Sequence, residues 1–117
     1  MNNMCATFPD SFRTVVAQRF IRRMRGGAQA HLVQADDGKF YVVKFHNNPQ
    51  GHRILVNEAL GSVLLRHLGI SAPEPVLVEV KPEFLEHNPE VYLQFSSHRV
   101  AVETGLHFGS QIGRAHV

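Results

Sequence analysis

Apolar and polar residues alternate along the first half of the chain, with the period of two that half-buried β-strands show. The alternation predicts three strands that pair as an antiparallel meander, at Thr14–Met24, His31–Ala35 and Phe40–His46. Arg25-Gly26-Gly27 separates the first two strands, because adjacent glycines permit positive φ and a close approach of the backbone. Asp36-Asp37-Gly38 is typical of a hairpin turn between the second and third.

The second half of the chain begins with a helical pattern. Residues Arg53–His67 are rich in Leu, Val and Ala, which predicts one main helix that is apolar around most of its circumference and therefore sandwiched. The remaining pattern predicts a fourth strand, one helical turn and two short strands, at Val76–Val80, Pro82–His87, Val91–Phe95 and Val100–Val102. Together these elements predict an α+β fold, an antiparallel β-sheet with one main α-helix packed on it.

Length and composition narrow the class of protein. With 117 residues, 44% of them hydrophobic and 19% charged, the chain is long enough for one globular domain of ordinary size. No apolar run approaches the ~20 residues that span a bilayer, and the N-terminus lacks the pattern of a secretory signal. The single cysteine, Cys5, excludes an internal disulfide, so we expect a cytoplasmic protein with no membrane partner.

The formal net charge of +2 is unevenly distributed along the chain. Four arginines crowd one short segment, at Arg19, Arg22, Arg23 and Arg25. The cluster fits an anionic partner such as phosphate or nucleic acid, but a solvated strand edge that ends in a basic loop explains the spacing equally well. Because Phe20 is the one aromatic residue among the arginines, we do not expect nucleic acid as a partner.

The eight histidines invite the hypothesis of a metal site. None of them forms an H-E-x-x-H motif or pairs with a C-x-x-C motif, and Cys5 has no partner nearby in the sequence. The sequence therefore assigns neither a metal ligand nor a nucleophilic cysteine.

Lys44 is the first candidate for chemistry. Alternation along the third strand places it on one face with Phe40, Val42 and His46, in an otherwise apolar stretch. A buried ammonium group is costly unless it meets a carboxylate or a phosphate, which favours a functional lysine. The alternative is an edge lysine that extends its charged end into water.

Glu58 and the glycine turn complete the candidate site. Glu58 is the only carboxylate in the predicted main helix, where it either pairs with a buried lysine or faces solvent. Gly26 and Gly27 expose backbone N–H groups that are able to bind phosphate oxygens, although a hairpin without a ligand explains them as well. The order of glycine turn, lysine and glutamate matches that of kinases, in which the lysine contacts ATP phosphates and the glutamate fixes the lysine.

Several motifs resemble the HipA-like kinase family in the same order along the chain, at Arg23–Leu32, Tyr41–Phe45, Asn47–Gln50, Leu55–Glu58, Pro73–Pro75 and Gly105–Ser110. Gly27-Ala28-Gln29 is similar to the Gly-Ala-Gln of the family's glycine-rich loop, which adds Gln29 to the candidate site. The resemblance implies the small N-terminal lobe of a protein-kinase-like fold, which uses ATP and Mg²⁺. It also implies transfer of a phosphoryl group to a protein or other hydroxyl acceptor, which in HipA itself is a protein serine.

The sequence departs from the family at the catalytic aspartates. The family's aspartate base and metal-binding aspartate follow the Gly-Leu-His-Phe-Gly-Ser stretch, whereas this chain has no Asp after Asp37. We therefore expect residues 14–110 to be an N-terminal lobe that is inactive alone, with the large lobe of the same protein as its missing partner. Residues 1–13 are predicted to be a loose leader, and residues 111–117 an artefactual tail that matches a translated sequencing adapter.

Two alternatives to a nucleotide-binding lobe remain open. One is a non-catalytic basic module that binds nucleic acid or a regulatory protein through the first strand, and the other is a remnant with no ligand. A lobe separated from its partner is also expected to expose an apolar face, with poor solubility or dimerisation as the consequence.

Overall fold

The computed structural model describes residues 12–25, 29–48, 52–70 and 75–113, and the side chains of residues 52–56, 58 and 59 are outside that description. The elements in chain order are β1 (Arg13–Arg23), β2 (His31–Ala35), β3 (Phe40–Lys44), α1 (His52–His67), β4 (Pro75–Val80), α2 (Pro82–His87), β5 (Leu93–Gln94), β6 (Arg99–Val100) and β7 (Gly105–Ile112). Neither helix in this part of the chain has the length and apolar character needed to cross a membrane.

Five strands form a closed barrel in the order β1-β2-β3-β7-β4, and β5 and β6 form a separate two-stranded hairpin. The barrel pairs are antiparallel except for β1 and β4, which run parallel and close the barrel. The predicted α+β fold, an antiparallel sheet with one main helix packed on it as in the small lobe of a protein-kinase-like fold, is therefore wrong. Its meander of three strands is confirmed, since β1 pairs with β2 and β2 with β3.

Irregular pairing along β1 explains how the sheet closes. This strand is 11 residues long, and its register with β2 shifts between Ala17 and Arg19 and again between Phe20 and Arg22. Bulges of this kind bend a strand and increase its twist, so the sheet curls until its edges meet. The chain crosses from β3 to β4 through α1, so that β4 enters the barrel parallel to β1.

β7 completes the barrel between β3 and β4 and pairs with both. Gly109 lies at the centre of this contact, opposite Val43 on one side and Val76 on the other. A Cβ atom at Gly109 would lie 2.7 Å from Cγ2 of Val78, which is closer than side chains approach one another. A glycine is therefore required here by the close packing of the barrel interior.

The core of the barrel consists of the residues that alternate inward along its strands. On β3, Tyr41 and Val43 are fully buried while Phe40, Val42 and Lys44 are partly exposed, as the alternation in the sequence predicts. The other buried apolar residues of this cluster are Val15, Ala17, Val33, Ala35, Phe45, Val76, Val78, Val80, Phe84, Val91, Leu93 and Val102.

A polar network fixes the end of the barrel at which the hairpin between β2 and β3 turns. Arg13 donates to Asp37 at 3.2 Å, to the Tyr41 hydroxyl at 3.0 Å and to Gln111 at 3.3 Å. The Tyr41 hydroxyl in turn donates to Asp37 at 2.7 Å. Burial alone would raise the pKa of the Asp37 carboxyl, but hydrogen bonds from Tyr41, the Lys39 amide and Arg13 hold it below its usual value.

The C-terminal half of α1 does not lie in the sandwiched position that its sequence predicts. Its leucines are largely exposed, with Leu60 at 48%, Leu64 at 57% and Leu65 at 39% of their full accessible surface, and Leu68, in the turn that continues the helix, is exposed at 61%. Leu60, Leu64 and Leu68 are four residues apart and therefore share one face of the helix. The exposed apolar face that was expected is thus present, on the part of α1 whose side chains are described.

Candidate functional site

The candidate site lies at the opposite end of the barrel, where β1 and β3 end and β2 and β7 begin. His31, the first residue of β2, pairs with Val43 on β3. One further step in this antiparallel register brings Lys44 opposite Ala30, the residue after Gln29. The backbone of Lys44 is therefore next to the C-terminal stem of the glycine turn.

Lys44 is half-buried on the outward face of the barrel. On its other side it pairs with Phe108 of β7, which is 8% exposed. This pairing places one largely buried aromatic residue beside Lys44. Glu58 belongs to α1, but its side chain is outside the described residues, and so is any contact between it and Lys44.

Of the three predicted residues of the glycine turn, Gly26 and Gly27 lie outside the described residues and Gln29 lies within them. Gln29 has a φ of +52°, in the left-handed region that non-glycine residues seldom adopt. Its side-chain amide donates to the carbonyl of Gln94 at 2.6 Å and accepts from the amide of Gln94 at 2.7 Å. These two hydrogen bonds attach Gln29, in the C-terminal stem of the glycine turn, to β5.

Five rings form a column beside this end of the barrel. The distances between successive centroids are 5.6, 4.9, 5.0 and 4.5 Å, in the order Phe20, His31, Phe45, His107 and His46. The column joins residues of β1, β2 and β7 to the two residues that follow β3. Its aromatic contacts therefore support the two strands that flank β3, which are β2 and β7, and the chain just after Lys44.

His31 is fully buried within the column. Its Nδ1 donates to the carbonyl of Gln29 at 2.8 Å, and its Nε2 is buried with no hydrogen bond among the described residues. Burial lowers the pKa of His31 to about 4, with a smaller contribution from Arg23 in the same direction, while the carbonyls of Gln29 and Tyr92 oppose it. His31 is therefore neutral at physiological pH and is a second support of the glycine turn.

His107 is 2% exposed and has both ring nitrogens bonded. Its Nδ1 accepts from the backbone amide of His46 at 3.0 Å, and its Nε2 donates to the carbonyl of Glu103 at 2.7 Å. Burial lowers the pKa of His107 to about 4, against the Glu103 carbonyl and assisted by the nearby His46 ring. These bonds fix a neutral tautomer that ties β7 to the chain immediately after Lys44.

Two cavities lined by described residues lie elsewhere on the protein. One, of about 420 Å³, lies between β1 and α2, and the other, of about 260 Å³, lies at the β2–β3 hairpin. Neither is lined by Lys44 or Gln29. Neither of these two cavities therefore belongs to the candidate site.

Sequence reasoning predicted short strands that overlap β5 and β6, at Val91–Phe95 and Val100–Val102, but it missed the contact of their hairpin with Gln29 and the two buried histidines. Gln29 and Gln94 are 65 residues apart, so no local pattern indicates that contact. His31 and His107 were recognised only as residues without a metal motif. A histidine in an otherwise apolar strand, as His31 is before Leu32 and Val33, was the one local signal of burial.

Sequence comparison identifies the class of protein to which this site belongs. A kinase family profile matches most of the chain, from residue 17 to residue 116. Its description is HipA-like kinase, and the chain belongs to that family, which confirms the resemblance seen in the sequence motifs. No curated protein and no solved structure matched the chain.

Proposed function

We propose that this chain is the nucleotide-binding part of a HipA-like kinase, in which Lys44 contacts the phosphates of ATP. The observation that carries the proposal is the position of Lys44, half-buried at the end of β3 and one register step from the stem of the glycine turn. Kinases use a strand lysine below a glycine-rich loop in this way. Membership of a kinase family supports ATP as the ligand.

The other predicted site residues take supporting roles in this proposal. Glu58 would orient Lys44 from α1, and the backbone amides of Gly26 and Gly27 would bind phosphate oxygens. Gln29 would hold the turn in place through its two bonds to Gln94. Mg²⁺ would neutralise phosphate charge, but the described residues contain no cluster of three His, Cys, Asp or Glu, so we assign it no protein ligand.

The whole kinase would transfer the γ-phosphoryl group of ATP to a protein or other hydroxyl acceptor. This transfer needs a positioned base and metal ligands in addition to the phosphate lysine, and the sequence has no Asp after Asp37 to supply them. We propose that the large lobe of the same protein supplies these groups and packs on the exposed leucines of α1. The chain alone would then bind nucleotide without catalysis.

Titration of the purified chain with MgATP by calorimetry tests the proposal. We expect weak binding that Lys44→Ala reduces by about tenfold or more, because a charge-assisted contact contributes roughly 1.5–3 kcal/mol. Lys39→Ala removes the same charge from the hairpin at the other end of β3 and is the matched control. Absence of ATP binding, or equal loss in both variants, would contradict a phosphate role for Lys44.

The exposed arginines of β1 favour a second candidate, a non-catalytic basic module. Arg19 and Arg22 are exposed, and neither makes an ion pair with a described carboxylate. Such a module would bind nucleic acid or an acidic regulatory protein with an affinity that falls as salt rises. Salt-sensitive binding that survives Lys44→Ala, together with no binding of ATP, would favour this function.

A further inference from the structure

Tyr92 lies between two arginines, at the end of the barrel that contains the candidate site. Cζ of Arg23 lies 3.8 Å from the centre of the Tyr92 ring, and Cζ of Arg99 lies 4.1 Å from it. A guanidinium group at such a distance covers most of one ring face, so the two arginines must occupy opposite faces. The three residues, hereafter the arginine–tyrosine stack, combine chain from β1, β6 and the segment before β5.

The two arginines of the stack differ in how firmly the protein holds them. Arg23 is partly buried, and its Nη2 donates to the carbonyl of Tyr92 at 2.9 Å. Arg99 is exposed, and no hydrogen bond from its guanidinium group to the described part of the chain is found. The ring therefore positions a guanidinium group that is exposed.

Among the described residues, no acidic side chain balances the positive charge of the stack. No described carboxylate lies within ion-pair distance of Arg23 or Arg99. Two cations held on one ring repel each other, and an anion that approaches them relieves this repulsion. The arrangement therefore favours a negatively charged ligand.

The stack lies beside the stem of the glycine turn. Arg99 pairs with Gln94 in the β5–β6 hairpin, and Gln94 makes both hydrogen bonds to the side chain of Gln29. Arg23 pairs with His31, whose ring bonds the carbonyl of Gln29. Both arginines are thus connected to Gln29 through a single intermediate residue each.

We propose that Arg99, held against Tyr92 and backed by the charge of Arg23, binds a phosphate group of the nucleotide beside Gln29. The inference rests on the proposed nucleotide-binding function and adds a second cation, which the β5–β6 hairpin carries. A guanidinium group suits this role because its planar array of N–H donors binds two phosphate oxygens at once. Gln29 then has a specific purpose, since its two bonds to Gln94 hold the β5–β6 hairpin against the chain just before β2.

Calorimetric titration of the full chain with ATP, inorganic tripolyphosphate and adenosine tests this assignment. We expect Arg99→Ala to weaken the binding of ATP and tripolyphosphate by about tenfold and to leave adenosine unaffected, because only the phosphates meet the guanidinium group. Arg99→Lys keeps the charge but not the planar donors, so it should restore only part of the affinity. Arg66→Ala, which removes an exposed arginine from the last turn of α1, should change binding by less than about twofold.

The results for Lys44 and Arg99 separate this inference from the proposed function. If Lys44→Ala abolishes ATP binding while Arg99→Ala binds as the unmodified chain does, the proposed function stands and the role of Arg99 is refuted. If the chain binds tripolyphosphate through Arg99 but does not bind ATP, the phosphate site stands without the nucleotide function. Arg99→Gln and thermal melting of each variant distinguish a lost contact from a lost fold.

Discussion

Acidification should destabilise this protein well above the pH at which its carboxylates titrate. His31 and His107 are both buried, and burial lowers the pKa of each to about 4. An unfolded histidine has a pKa near 6.5. Between these values the unfolded chain binds protons that the folded chain does not, so stability is full above about pH 6.5 and falls as the pH decreases toward 4.

The size of the effect follows from the difference between the two pKa values. At pH 5 an unfolded histidine is almost fully protonated, while a folded one with a pKa of about 4 is mostly neutral. The difference in proton binding costs about 2 kcal/mol for each histidine, or about 4 kcal/mol for both. This is a large part of the 5–15 kcal/mol by which domains are stable. The lowered pKa of Asp37 adds its own loss only below its usual value of 3.8, outside this interval.

Urea denaturation followed by circular dichroism at pH 7, 6 and 5 measures the free energy of unfolding directly. We expect His107→Gln to lower stability at pH 7, because two bonds are disturbed, but to remove about half of the further loss between pH 7 and pH 5. His67→Gln, at the exposed end of α1, is the control and should keep the pH dependence of the unmodified chain. Nuclear magnetic resonance of the imidazole protons tests the premise without mutation. If both buried histidines titrate near 6.5, or if stability is constant from pH 7 to pH 5, the reasoning is refuted.

Two further predictions concern packing. Gly109→Ala should destabilise the barrel by about 1–3 kcal/mol, because the new methyl group would contact Val78 at 2.7 Å. Gly61→Ala is the control and should stabilise α1 slightly, because nothing lies within 4 Å of the new methyl group. Equal melting temperatures for the two variants would contradict the barrel geometry. Leu64→Ser should reduce self-association of the chain, because Leu64 is 57% exposed on the apolar face of α1. Sedimentation velocity measures this, and an unmodified chain that is monomeric at high concentration would count against exposure as a cause of association.

The local sequence pattern was sufficient to predict some elements of the fold, but it was not sufficient to predict that the sheet closes into a barrel. The β2 strand and the α2 helix have the predicted bounds, and β3 has the predicted alternation that sets Lys44 apart from Tyr41 and Val43. Each of these depends on the period of a short segment or on its flanking turn residues. The closed barrel depends on two pairings that span the chain, β1 with β4 and β3 with β7, and no local pattern encodes them.

β7 shows most clearly why the barrel was not predicted. Its eight residues include Gly105 and Gly109, together with His107, Ser110 and Gln111, none of which favours a strand on propensity alone. Gly109 is present because the core is crowded, and His107 because its ring bonds the chain on both sides. The reasons for these residues therefore lie in neighbours that only the folded chain brings together.

The same distinction between local patterns and contacts of distant residues applies to the candidate site. The β2–β3 hairpin joins Gln29 and Lys44, and its antiparallel register brings Lys44 opposite Ala30, the residue after Gln29. Gln29 and Gln94 are 65 residues apart, and two hydrogen bonds join them. An exposed hydrogen-bonded pair contributes only about 1 kcal/mol to stability, and Gln29 accepts a left-handed φ to form it. The hydrogen bonds between Gln29 and Gln94 stabilise the fold little, and they accompany a strained backbone at Gln29. Their role is therefore better explained by the segments that they position. The two bonds hold the hairpin that carries Arg99 against Gln29, as the proposed binding of a phosphate group by Arg99 beside Gln29 would require.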